Sequence, residues 1–91
     1  MKVAAVYAPP FNDLTRLEKE TVALEGGTLA DLVAAIAARH GAPFRETFLD
    51  PQSGEIVPGM VALLNGRRVG LSAALADGDE VAFLMAMAGG R

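Results

Sequence analysis

The sequence has 91 residues, 52% of them hydrophobic, which is enough for one domain with its own core and too apolar for intrinsic disorder. Its net charge is −3 with acidic groups spread along the chain, and Arg67-Arg68 is the one adjacent pair of Lys or Arg, so no cationic cluster is available to neutralise nucleic-acid phosphates. There is no cysteine for disulfides, thiolate metal sites or nucleophilic catalysis, no leader pattern, and no apolar run longer than Val81 to Ala88, so a cytoplasmic protein that does not enter the membrane is expected.

Lys2 to Ala8 is a short apolar run ended by Pro9-Pro10 and predicts a buried first strand. Phe11 to Arg16 reads as a loop or short turn. Lys19 to Leu24 is rich in β-branched residues and bounded by Glu25-Gly26-Gly27, which predicts a second strand hairpinned to the first. From Thr28 to His40 the spacing of Leu29, Leu32, Val33, Ile36 and Ala37 draws one apolar helical face. Thr28 and Asp31 suit a capping box, and Gly41 followed by Pro43 suits a stop.

Ala42 to Gly59 carries Pro43, Pro51, Gly54, Pro58 and Gly59 and reads as irregular, with a turn at Asp50 to Gly54. Val61 to Leu64, then Asn65-Gly66, then Arg67 to Val69 predicts a hairpin, because Asn-Gly accepts the positive φ values of a type I′ turn. Ser72 to Leu75 reads as one helical turn, Asp77-Gly78-Asp79 as a turn, and Glu80 to Leu84 as the last strand. The expected class is α+β with order ββαββ, a mixed sheet of four to five strands on one helix. A domain over residues 1–84 would be followed by a flexible tail over 85–91.

Catalytic chemistry is sparse. His40 is the only histidine and falls at a predicted helix C-terminus, where the dipole favours a cation. Asp77, Asp79 and Glu80 lack the spacing of a calcium loop, and Gly26-Gly27 before a helix lacks the surrounding pattern of a nucleotide-phosphate loop. No cofactor and no metal is expected.

Gly89-Gly90 is different, because almost nothing follows it. Glycines there let an extended backbone thread a narrow channel that a Cβ would obstruct. A carboxylate on such a thread can enter another protein's active site and be activated by ATP. On its own the pair fits a frayed end equally well.

Leu75-Ala76-Asp77-Gly78-Asp79-Glu80-Val81-Ala82-Phe83-Leu84, followed after a spacer by Ala88-Gly89-Gly90, resembles the MoaD/ThiS family of ubiquitin-like sulfur carriers. The Lys2-Val3 opening, Thr28 to Leu32 and Val61 to Gly66 (VALLNG) extend the resemblance over nearly the whole chain, and the long helix-to-strand segment favours the MoaD side. The resemblance implies a ubiquitin-like β-grasp fold and a carrier without catalytic residues of its own. It also implies an E1-like ATP-dependent adenylating enzyme as partner and a thiocarboxylate on Gly90. A sulfur-accepting synthase large subunit would then use that sulfur, in molybdopterin, thiamine or another biosynthesis. Two features depart from the family pattern: Met85-Ala86-Met87 stands where Pro-Pro is common, and Arg91 blocks the Gly90 carboxylate. Removal of Arg91 by a peptidase is therefore expected.

Strand alternation puts Val81 and Phe83 on one face and Ala82 and Leu84 on the other. The face with Leu84 and Tyr7 is expected to dock the adenylating enzyme, with Met87, Ala88 and Gly89 following it into the channel. Ordinary core packing of Leu84 and Tyr7 remains the alternative. Two other functions share the same residues. One is a protein modifier joined to lysines through Gly90; the other is a structural β-grasp subunit whose tail is unused.

Overall fold

The computed structural model describes residues 1–86. In chain order the elements are β1 (Lys2–Tyr7), α1 (Phe11–Thr15), β2 (Lys19–Ala23), α2 (Leu29–His40), α3 (Ala42–Phe48), β3 (Met60–Leu64), β4 (Arg67–Val69) and β5 (Glu80–Met85). The strands form one sheet in the order β2-β1-β5-β3-β4. β1 and β5 run parallel at its centre, and every other pair is antiparallel.

The predicted strands, the long helix and the Asn65-Gly66 hairpin are all present, with φ of 50° at Asn65 and 86° at Gly66 as a type I′ turn requires. Two helices were not expected. Phe11 to Thr15 is helical rather than a loop, and Ala42 to Phe48 is helical rather than irregular. Pro43 does not simply prevent continuation of α2. It sits in the first turn of α3, where a missing N–H costs nothing, while Gly41 at φ 103° redirects the chain between the helices. The Ser72–Leu75 stretch is not a helical turn: Ala74 makes an antiparallel bridge with Thr28. The strand β5 runs to Met85, one residue past the expected end at Leu84, and the Ala86 N–H donates to the Gly59 carbonyl at 2.8 Å.

One core serves the molecule. Val3, Ala5 and Tyr7 of β1 and Val81 and Phe83 of β5 face the three helices, and every hydrophobic residue those helices bury joins the same cluster. Phe83 is its centre, with ring centroids of Tyr7, Phe11, Phe44 and Phe48 between 5.2 and 6.1 Å away. The opposite face of the sheet lies away from this cluster.

Candidate functional site: the open sheet face and the tail exit

The registers place Lys19, Val6, Ala82, Leu63 and Arg68 side by side across all five strands. Their neighbours along the strands, Tyr7, Val81, Phe83 and Ala62, are buried in the core, so this row belongs to the other face. Val6, Ala82 and Leu63 are half-buried, and Lys19 and Arg68 at the two ends are exposed. Leu84 lies opposite Val61 in the next row, and Val61 is buried although it stands outside the core cluster. Val61 and Arg68 also line an open hollow of about 440 Å³ together with Pro58, Gly59, Val69 and Gly70. This row is apolar in the middle and basic at its ends, and Glu80, two residues before Ala82 on the same face, pairs with Lys19.

The described residues end at the rim of this face. Met85 pairs with Met60, and Ala86 is held to Gly59, two residues past Leu84. Met87, Ala88, Gly89, Gly90 and Arg91 lie outside the described residues.

Leu84 is half-buried on the open face, as the alternation predicts, but Tyr7 is not beside it. Tyr7 is 3% exposed, pairs in parallel register with Phe83, and stacks on that ring at 6.1 Å. It is a core residue, so the expected face shared by Leu84 and Tyr7 does not exist. The reason is register: alternation within each strand was correct, but β1 beside β5 aligns Tyr7 with the core-facing Phe83.

The sequence reading also missed a polar cluster at Tyr7. Its Oη–H donates to Glu20 Oε2 at 2.6 Å, and His40 Nε2 lies 2.7 Å from the same oxygen. Arg39 donates to Glu20 Oε1 at 2.9 Å and to the Thr21 carbonyl at 3.1 Å. Burial works to raise the pKa of Glu20, but hydrogen bonds from Tyr7 and His40 and the charge of Arg39 outweigh it and hold the carboxyl below its usual range. Burial first, and then the Glu20 carboxylate, push the Tyr7 phenol above its usual range. Both carboxylate oxygens are occupied by groups of this chain, so the cluster fastens α2 to β1 and β2. A signal existed: Glu20 alternates with the buried Val22, which puts a carboxylate on the core side of β2.

The motif Asp77-Gly78-Asp79-Glu80 proves to be a clasp. Asp77 Oδ1 accepts from the Lys2 N–H at 2.6 Å, and Asp79 Oδ2 accepts from the Ala76 N–H at 2.7 Å. Asn65 donates to Asp79 Oδ1 at 3.0 Å and accepts from the Glu80 N–H at 2.9 Å. These donors, the Ala76 N–H first, hold Asp79 below its usual range. The start of α2 is likewise closed to anions. Leu29 N–H donates to Ala73 and Ala30 N–H to Leu71, both at 3.0 Å, and Thr28 N–H donates to Asp31 Oδ2 at 2.9 Å. Among the described residues no group of three or more His, Asp or Glu is placed to hold a metal ion, and no helix is long and apolar enough to cross a membrane.

Comparison with known proteins agrees with this architecture. The profile of the ThiS family matches residues 7–90. No curated protein matches the sequence significantly. Among solved structures, the chain is similar to molybdopterin converting factor subunit 1 of Pyrococcus furiosus, with 27% identity, 96% of this chain and 99% of that one covered, and a TM-score of 0.77. It is similar to CysO of Mycobacterium tuberculosis, with 26% identity, coverage of 93% and 99%, and a TM-score of 0.79. Small archaeal modifier protein 1 of Haloferax volcanii shares the fold at 23% identity, with coverage of 94% and 98% and a TM-score of 0.81.

Proposed function

Because this chain belongs to the ThiS family, whose members are small ubiquitin-like carriers and not catalysts themselves, we propose that it carries sulfur on the carboxylate of Gly90. The observation that carries the reading is the extent of the family match, which runs through Gly89-Gly90 and stops before Arg91. The chemistry suits a chain with no catalytic constellation of its own. An E1-like partner joins the Gly90 carboxylate to the α-phosphate of ATP and releases pyrophosphate. A sulfide-level nucleophile then attacks the acyl carbon, AMP leaves, and a thiocarboxylate remains. For Gly90 to present a carboxylate, a peptidase first removes Arg91. On this reading the steps take place in the cytoplasm, where ATP is at hand.

The likeness to a molybdopterin converting factor subunit supports a synthase large subunit of that type as the sulfur acceptor. The open face with Leu84 is the docking surface on this reading, replacing the face with Tyr7. An enzyme that takes Gly90 into its site would sit against the rim where Ala86 is held to Gly59, with Met87, Ala88 and Gly89 as its further contacts.

The test is the intact mass of a chain ending at Gly90 after incubation with ATP, an E1-like adenylating enzyme and a sulfur donor. Replacement of one oxygen by sulfur is expected, and an unchanged mass would sink the proposal. Gly90 found in isopeptide linkage to lysines of other proteins, with no thiocarboxylate formed, would replace sulfur transfer by protein modification.

A further inference from the structure

We infer that Arg68 is a specificity-determining residue of the open sheet face, and that it receives a carboxylate from the adenylating enzyme docked there. This inference rests on the carrier reading and names a chemical demand on its partner.

Arg68 ends the cross-strand row that begins at Lys19. Its centre, Val6, Ala82 and Leu63, is apolar and half-buried, and the half-buried Leu84 extends it beside the already buried Val61. A partner that covers this surface gains from burying it. The cations at the two ends differ. Lys19 Nζ already lies 3.4 Å from Glu80 Oε1, whereas Arg68 has no ion-pair partner among the described residues. Arg68 stands directly opposite Leu63 and lines the hollow with Val61. A surface that closes over Leu63 and Val61 therefore takes water from the Arg68 guanidinium as well.

A dehydrated, unmatched cation would oppose docking; a matched one favours it and fixes its register. Arginine suits that task, because its planar fork donates two parallel hydrogen bonds to a carboxylate. The consequence is discrimination. An adenylating enzyme with an acidic group opposite Arg68 is accepted, and one with an apolar or basic group there is rejected although the rest of the face fits. Arg67 supplies the internal contrast. It pairs with Leu64, whose partner across β3 and β5 is the core-facing Val81, so it belongs to the other side of the hairpin.

The experiment is ATP–pyrophosphate exchange by the purified E1-like adenylating enzyme of the same organism, with chains ending at Gly90. Arg68→Glu should raise KM about tenfold or more with kcat within about twofold, since docking changes and the reacting carboxylate does not. Arg68→Lys, which keeps the charge but loses the planar fork, should raise KM by less than Arg68→Glu, and raising the salt concentration should shrink the Arg68→Glu defect. Arg67→Glu should leave KM within about twofold of the unaltered chain, as expected for a charge outside the interface. Leu84→Ala, run in parallel, separates the two levels of the claim. If Leu84→Ala raises KM and Arg68→Glu does not, the role of Arg68 is overturned while docking through this face stands. If neither raises KM, the face itself is overturned. If the unaltered chain supports no exchange, the carrier reading falls with it.

Discussion

Glu20 stands on the core side of β2, where an ion stays charged only if donors replace the water it has lost. Tyr7, His40 and Arg39 supply them at 2.6 to 2.9 Å. Replacing Tyr7 by Phe removes one neutral donor to a partly buried carboxylate, with an expected loss of about 1–2 kcal/mol in urea unfolding. The same cluster sets a pH dependence. The Glu20 and Asp79 carboxyls have lowered folded-state values, so their contribution is present above the unfolded value and is lost as pH falls through the folded one. Tyr7 is raised, so its contribution is complete at neutral pH. That contribution is lost as pH climbs past the ordinary phenol range near about 10, where the unfolded chain ionises first. A melting-temperature series should therefore show a plateau falling at both ends. Glu20→Gln should flatten the acid limb and Tyr7→Phe the alkaline one. An alkaline limb unchanged by Tyr7→Phe would contradict the assignment. The contact itself was half legible. Alternation with Val22 turns Glu20 inward, but nothing in the sequence says that His40, 20 positions on, closes over it.

Among the elements, those with a strong period could be read directly. Helix α2 was legible because Leu29, Leu32, Val33 and Ile36 repeat on one face and Thr28 with Asp31 marks the start. Helices α1 and α3 were not, because five and seven residues give too little periodicity, and their prolines look like breaks although Pro10 is the N-cap of α1 and Pro43 stands in the first turn of α3. Phe44 and Phe48, four apart and both buried, were the signal available in α3. The entry to α2 carries its own test. Gly27 has φ 118°, and a Cβ built there would fall on Asp31 Oδ2, the oxygen that accepts the Thr28 N–H. Gly27→Ala should cost about 1–3 kcal/mol, from backbone strain and loss of the cap together. Asp31→Ala alone should cost about 1 kcal/mol. The double variant should then be less destabilised than the sum, since removing the carboxylate removes the collision. Strict additivity in chemical unfolding would show that only the backbone angle matters.

For the whole molecule, the sheet separates two kinds of demand by face, and β5 carries both. Phe83 points to the helices and is fully buried among four aromatic rings, while its neighbour Leu84 points to the open face and is half-buried. Phe83→Ala should cost about 3–5 kcal/mol, a large part of the ~5–15 kcal/mol that a small domain has in total. Leu84→Ala should cost only about 1 kcal/mol, because the side chain has less water to regain. Activity should divide the other way. Adenylation by the E1-like enzyme should survive Phe83→Ala at temperatures where that variant is folded, and should fall with Leu84→Ala although its melting temperature drops by only about 4–8 °C. The sequence alone could assign Phe83 and Leu84 to opposite faces, since that follows from a period of two. It could not say which residues of other strands share each face, because register is a property of pairing. That gap misplaced Tyr7 and concealed Arg68 in its row with Leu63 and Ala82. If Phe83→Ala and Leu84→Ala lose stability and adenylation in parallel, the open face is only another side of the core, and docking must be sought elsewhere on the molecule.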